Sequence, residues 1–250
     1  MIPCLLLSGE GLVKTRRFAA PKYVGDPINA IRIFNDKEVD ELMVLDITAS
    51  AAGRPPNFEL IEQIAGECFM PLCYGGGIRD ASDARRLFAS GVEKICLQSA
   101  FFERPSLVGE IADHAGGQAV MVSIDVTRDW LGRRRIRRPA RGASPFPDWQ
   151  SALVEAAAMG AGEILLTDSD RDGTFAGLDL DLIREGAALV DIPLVAAGGA
   201  NSLADIGAAV TAGASAVAVG ALFVFYGPHR AVLITYPRYE ELRALWQKAA

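Results

Sequence analysis

The chain repeats itself at one fixed spacing. Glu41-Leu42-Met43-Val44-Leu45-Asp46 returns as Glu163-Ile164-Leu165-Leu166-Thr167-Asp168. Pro71-Leu72 returns as Pro193-Leu194, Gly76-Gly77 as Gly198-Gly199, and Gly91 as Gly213. Each pair is 122 residues apart. A constant spacing means that every strand, turn and helix in between has kept its length. Repeats of about 120 residues are too long for a solenoid unit. They suit two half-barrels, roughly residues 1–118 and 119–250, that close on one another as one domain.

Short apolar runs alternate with amphipathic stretches, the pattern of a parallel sheet with crossover helices. Strands are expected at Ile2 to Leu7, Leu42 to Ile47, Pro71 to Tyr74, Lys94 to Gln98, Ala119 to Asp125, Glu163 to Asp168, Pro193 to Ala197 and Ala216 to Val219. A helix should follow each. Asp80-Ala81-Ser82-Asp83 and Asn201-Ser202-Leu203-Ala204-Asp205 read as capped helix starts, and Asp179 with Asp181 opens a helix reaching Val190. The expected fold is therefore α/β, a single (β/α)8 TIM barrel built from two duplicated halves. The rival is an open doubly wound sheet, whose edge strands do not follow from duplicating equal halves. Two connections exceed what a barrel needs. Ser8 to Gly25 carries Lys14, Arg16, Arg17 and Lys22. Thr127 to Pro147 carries Arg128, Arg133, Arg134, Arg135, Arg137, Arg138 and Arg141. Both follow strands and so belong to the C-terminal face.

A net charge of −6 argues against general nucleic-acid binding. Cys4, Cys73 and Cys96 lie in apolar runs, and with Cys68 they form no CxxC pair. They read as reduced thiols of a cytoplasmic protein. His114 and His229 lie near no cysteine, so neither a metal site nor a cofactor is expected. No signal peptide is visible. Ile206 to Pro228 is uncharged and long enough to span a bilayer. Its repeat partner, Ala84 to Phe102, carries Arg85, Arg86, Glu93 and Lys94, and Gly213 interrupts the segment. It reads as a buried helix–strand pair, with no membrane partner.

Candidate chemistry begins at two glycine-rich strand ends. Tyr74-Gly75-Gly76-Gly77 closes strand three, and Ala197-Gly198-Gly199-Ala200 closes strand seven. Each precedes a helix. Glycine lets backbone N–H groups approach an anion, and a helix N-terminus favours negative charge. Gln98-Ser99 and Gly220-Ala221 sit beside them at matched positions, and Asp172-Gly173 could add donors. Two phosphate cradles on opposite sides of the mouth are the functional reading. Tight turns that need glycine for steric reasons are the plain one. Asp46 and Asp168, duplicated at strand ends, are expected to face the mouth and bind polar groups or orient loops.

Leu45-Asp46-Ile47-Thr48-Ala49-Ser50, Gly75-Gly76-Gly77-Ile78, Gly160-Ala161-Gly162-Glu163-Ile164-Leu165-Leu166-Thr167 and Asp170-Arg171-Asp172-Gly173-Thr174 resemble the cyclase subunit of imidazole glycerol phosphate synthase, the HisF family. The resemblance covers nearly the whole chain. It implies a (β/α)8 barrel that takes ammonia from a glutaminase subunit docked on the N-terminal barrel face. The ammonia would pass through the barrel to a bis-phosphorylated small molecule. It also implies two aspartates, at the ends of strands one and five, as general acid and base. Asp125 matches the second. Leu6, in Cys4-Leu5-Leu6-Leu7, stands where the first belongs, and leucine moves no proton. Gln98 replaces a family asparagine, and Ala197 and Ala221 replace serines. For Asp125 the plain alternative is a cap on the following turn.

Met1 to Leu7, Gly11 to Thr15 and Tyr23 to Ala30 are similar to a WbuZ-type branch linked to glycosyl amidation in surface-polysaccharide synthesis. That likeness implies a third, ATP-using amidotransferase subunit and conversion of an acetamido sugar to an acetamidino sugar. Glu41, Lys94 and Glu163 match three positions of the family's charged ammonia gate at the barrel floor. Two carboxylates and one ammonium leave one negative charge in excess, which suits a small cation. A salt-linked plug is the alternative, since buried charges must be paired. The Arg-rich stretch reads as a solvated hairpin, a grip for a nucleotide-sugar diphosphate or a dock for an acidic partner.

Three readings of function compete. The chain is a subunit of a glutamine-dependent complex that delivers ammonia for sugar amidation, a true ring-closing lyase of histidine biosynthesis, or a non-catalytic scaffold. Leu6 separates the second from the others. Glu41, Lys94 and Glu163 separate the first from the third.

Overall fold

The computed structural model describes residues 1–137, 139 and 143–249. Eight parallel strands, Ile2–Ser8, Leu42–Asp46, Leu72–Gly75, Lys94–Leu97, Val120–Arg128, Glu163–Asp168, Leu194–Ala197 and Ala216–Val219, pair in chain order. Ile2 opposite Ala218 and Pro3 opposite Val219 close the ring. Helices lie between the strands, so the fold is the (β/α)8 barrel that the duplication predicts. Closure leaves none of the eight barrel strands as a sheet edge, as two equal halves that close on one another require.

The strands read as continuous apolar runs because both faces are buried. Ile2, Met43, Cys73, Cys96, Met121, Leu165, Val195 and Ala218 fill the inside of the barrel. The alternate residues join a larger layer beneath the helices, with Phe34, Phe101 and Trp149 among its most buried side chains. All four cysteines are free thiols. No described helix is long and apolar enough to cross a membrane. The uncharged C-terminal stretch folds as helix Leu203–Thr211, a turn at Gly213 with φ +112°, and strand Ala216–Val219.

Capping follows the sequence closely. Asp80 accepts from the N–H groups of Ser82 and Asp83, Asp179 from Leu182, and Ser202 from Asp205. Helix Leu180–Ala187 stops before Val190, because Ala188 and Leu189 donate back to Arg184 and Gly186 and turn the chain toward the next strand.

The two long connections are antiparallel arms, one on the first strand of each half. Strands Gly11–Arg16 and Ala19–Gly25 extend strand one. Strand Arg134–Ile136 folds back on strand five, which runs on to Arg128 rather than ending at Asp125. Arg138 and Arg141 of the arginine-rich stretch lie outside the described residues.

Candidate functional site

At the C-terminal end of the barrel the strand ends and both arms enclose a cavity of about 390 Å³. The nominated mouth residues line it, Asp46 among them, except that Asp168, its repeat partner, does not. Gly76, Gly77, Gln98 and Ser99 form one side, and Gly198, Gly199, Gly220 and Ala221 the other. Leu6, Asp125, Asp172 and Gly173 complete the wall.

The glycine turns repeat in detail. Gly76 and Gly198 have φ +114° and +96°, and Gly77 and Gly199 have +74° and +103°. A Cβ on Gly76 would stand 2.3 Å from the carbonyl oxygen of Asp46, and one on Gly198 would stand 2.3 Å from that of Asp168. Steric need for glycine is therefore met at both turns. The aspartates staple the neighbouring loops in the same way. Asp46 Oδ1 accepts from the Thr48 and Ala49 N–H groups, and Asp168 Oδ1 from those of Asp170 and Arg171. Helices Ser99–Glu103 and Ala221–Val224 begin beside these turns, and neither has a side-chain cap. Their first N–H groups lack intrahelical acceptors and border the cavity.

Asp125 is buried at the centre of the wall. Gln98 Nε2 donates to its Oδ2 at 2.8 Å, and Ser123 Oγ lies 3.4 Å from its Oδ1. Burial pushes its carboxyl up to about 6, against the opposing pull of Arg137, Gln98, Ser123 and Thr167. A value near neutrality suits proton transfer. Leu6 is its mate in the duplicated frame. Leu6 pairs with Leu45 as Asp125 pairs with Thr167, and Leu45 and Thr167 are repeat partners. One half thus presents a carboxylate where the other presents hydrocarbon.

Lys14 was visible in the sequence only as one cation of a long connection. The first arm carries it into the mouth, where Nζ lies 2.9 Å from both oxygens of Asp172. Thr15 Oγ1 adds a bond to Asp172 Oδ2 at 3.3 Å, and the Arg17 N–H donates to the Asp172 carbonyl at 2.8 Å. A Cβ on Gly173 would meet the Thr15 carbonyl at 2.3 Å. Asp172 and Gly173 line the cavity, yet their own bonds latch the arm to the loop after strand six. The Asp172 N–H is engaged by the Asp168 carbonyl. Cys4, close to Lys14, Asp172 and Asp125, is pushed up to about 12 by burial and remains a thiol.

The second arm contributes Arg137. Its N–H donates to the Asp125 carbonyl at 2.7 Å, and its guanidinium lies 4.9 Å from the Phe18 ring centre. The arm is rooted by Arg128 and Arg134, which both pair with the nearly buried Asp179.

At the opposite end Lys94 bridges Glu41 at 3.0 Å and Glu163 at 2.8 Å. Burial raises the Glu41 carboxyl although Lys94 opposes it. Burial works against the Lys94 ammonium, yet its bonds to Glu163 and Glu41 raise it overall. No cluster able to hold a metal ion occurs among the described residues.

The histidine biosynthesis protein family matches residues 1–229. A protein of Pseudomonas aeruginosa named "Putative imidazole glycerol phosphate synthase subunit hisF2" is 50% identical over 246 residues, covering 97% of each chain. A Vibrio vulnificus protein named "Putative imidazole glycerol phosphate synthase subunit hisF3" is 45% identical over 242 residues, covering 95% of this chain and 92% of its own. The "Imidazole glycerol phosphate synthase subunit HisF" of Leifsonia xyli is 37% identical over 228 residues, covering 89% of each. On the barrel, the family match and these identities, the chain belongs to the HisF family.

Proposed function

We propose that this chain is the ammonia-delivering subunit of a glutamine-dependent amidotransferase complex. A glutaminase docks on the N-terminal barrel face and releases ammonia at the floor. Glu41, Lys94 and Glu163 gate its entry, and the barrel interior leads it to the mouth. There it amidates a phosphorylated acceptor held by the two glycine cradles. The acceptor is a nucleotide-linked sugar whose acetamido group becomes acetamidino, with a third, ATP-using subunit activating it. The whole operates in the cytoplasm and serves surface-polysaccharide synthesis, the WbuZ-type branch of the family.

The observation that carries this reading is Leu6 at the mate position of Asp125. Ring closure by paired acid and base needs two proton carriers. Of the other two carboxylates that line the cavity, Asp172 is engaged by Lys14 and Asp46 by the N–H groups of Thr48 and Ala49. The test is ring closure of the histidine-pathway substrate by the isolated chain with ammonium salts. No turnover above the uncatalysed rate is expected, and clear turnover overturns the reading.

Asp125 itself favours a second reading. A buried carboxyl that titrates at about 6 is poised for general acid–base work. In that reading the chain is a ring-closing lyase that uses Asp125 alone, and the same assay decides between them.

A further inference from the structure

We propose that a second cavity, beside the Gly198–Gly199 turn, holds the aromatic base of the nucleotide-linked acceptor. The inference rests on the amidation reading and deepens it, since it names where the nucleoside lies.

This cavity measures about 740 Å³. Three segments lead to it from the mouth. Gly173, Ala200 and Ala221 line the mouth, and Phe175, Asn201 and Leu222, one or two residues on, line the second cavity. Consecutive Cα atoms lie about 3.8 Å apart, so the two cavities meet along one wall. Gly199 stands on the mouth side of that wall, immediately before Ala200. The outer side is a hairpin after strand eight, Phe225–Tyr226 paired with Ala231–Val232. The described residues of the first half show no counterpart, because helix Leu107–Ala115 follows helix Ser99–Glu103 almost at once.

The lining selects the ligand. Arg230 of the hairpin places its guanidinium 4.8 Å from the Phe175 ring centre, and both residues line the cavity. Both have left-handed backbones, at φ +49° and +61°. Bulky side chains avoid that region, and residues held there cluster at ligand sites. Lys22 of the first arm lies 5.1 Å from the Phe225 ring centre and donates to the Arg230 carbonyl at 3.3 Å. Neither Lys22 nor Arg230 has a carboxylate within salt-bridge distance among the described residues. Glu241, a carboxylate that lines the cavity, pairs with Arg238. Aromatic rings beside two cations without counter-charges suit a flat ring that carries negative charge. A neutral sugar would leave both cations unanswered, and a bare phosphate would leave the rings unused. A nucleoside diphosphate answers both. Its base stacks at Phe175 and Arg230, and its phosphates lie toward the Gly198–Gly199 turn.

The test is calorimetric titration of the full chain with uridine, cytidine, adenosine and guanosine diphosphates, each compared with inorganic diphosphate. The best of them should bind at least about tenfold tighter than inorganic diphosphate. Glycine and asparagine tolerate the left-handed backbone, so Phe175→Gly and Arg230→Asn each remove a contact without new strain, and circular dichroism should not change. Each should cut the advantage to about threefold or less. Phe175→Gly should leave inorganic diphosphate affinity within about twofold of the parent, since it removes no charge. An advantage that survives either substitution puts the ring elsewhere and overturns the site. No advantage for any of the nucleotides overturns it as well. The amidation reading falls only on the separate ring-closure assay, which uses none of these ligands.

Discussion

The side-chain amide of Gln98 holds one oxygen of Asp125 at 2.8 Å, joining the helix start after strand four to the buried carboxyl of strand five. The bond favours the ionised form, yet burial dominates, and the carboxyl titrates at about 6. In the unfolded chain it titrates near about 3.9. Between these values the native state holds the extra proton. Stability from this group is therefore full below about pH 4 and is lost as pH rises through about 6. Asp125→Asn removes the ionisation. We expect the variant to gain on the parent between pH 4.5 and 7.5 by about 2 kcal/mol, a few degrees in Tm. A pH-independent difference in thermal melts would contradict the titration.

The glycine turns differ from ordinary loop glycines. Gly76→Ala and Gly198→Ala each place a methyl against a backbone carbonyl at positive φ. Each should cost about 2 to 4 kcal/mol in urea denaturation. Gly66 of helix Phe58–Glu67 is the control, because a methyl there meets nothing within 4 Å. Gly66→Ala should stabilise by about 0.5 to 1 kcal/mol.

At the floor, Lys94→Met leaves Glu41 and Glu163 facing each other without a cation. The three side chains are 16 to 22% exposed, so the loss is expected at about 2 kcal/mol, below that of a fully buried pair. Lys94 holds down the proton affinity of Glu41, which burial raises. Without it Glu41 takes up a proton more readily, so the loss should shrink from pH 8 to pH 5. Glu41→Gln in the same chain should recover part of it at pH 8. An unchanged midpoint in the single variant would mean that the triad is solvated and weak.

Leu6→Asp restores the carboxylate to the mate position of Asp125. Two acids in one buried wall repel, so the variant should be less stable at pH 8 than at pH 5. Ring closure with ammonium salts should rise above the parent. Complete inertness would show that the mouth has lost more than this one acid, with the serine positions now held by Ala197 and Ala221 the next to restore.

Strands buried on both faces leave long apolar runs, so the barrel and its duplication are legible in the residues. The glycine turns are legible too, because two glycine pairs recur at one spacing. Lys14 is not, since its partner lies 158 residues away and only the arm brings them together. Arg137 is hidden among like neighbours, and only the ladder register turns one arginine of the run into the cavity. The equivalence of Leu6 and Asp125 escapes the 122-residue spacing, because these two positions are 119 apart (125 − 6). Strand pairing restores it.

The uncapped helix starts at Ser99 and Ala221 have a consequence for direction. A frame that nearly maps onto itself under half a turn would admit a two-headed guest either way round. Orientation is then decided by the few side chains that break the symmetry: Gln98 and Ser99 against Gly220 and Ala221, and Asp125 against Leu6. Exchanging those residues between the halves would reverse the guest end for end on an unaltered backbone.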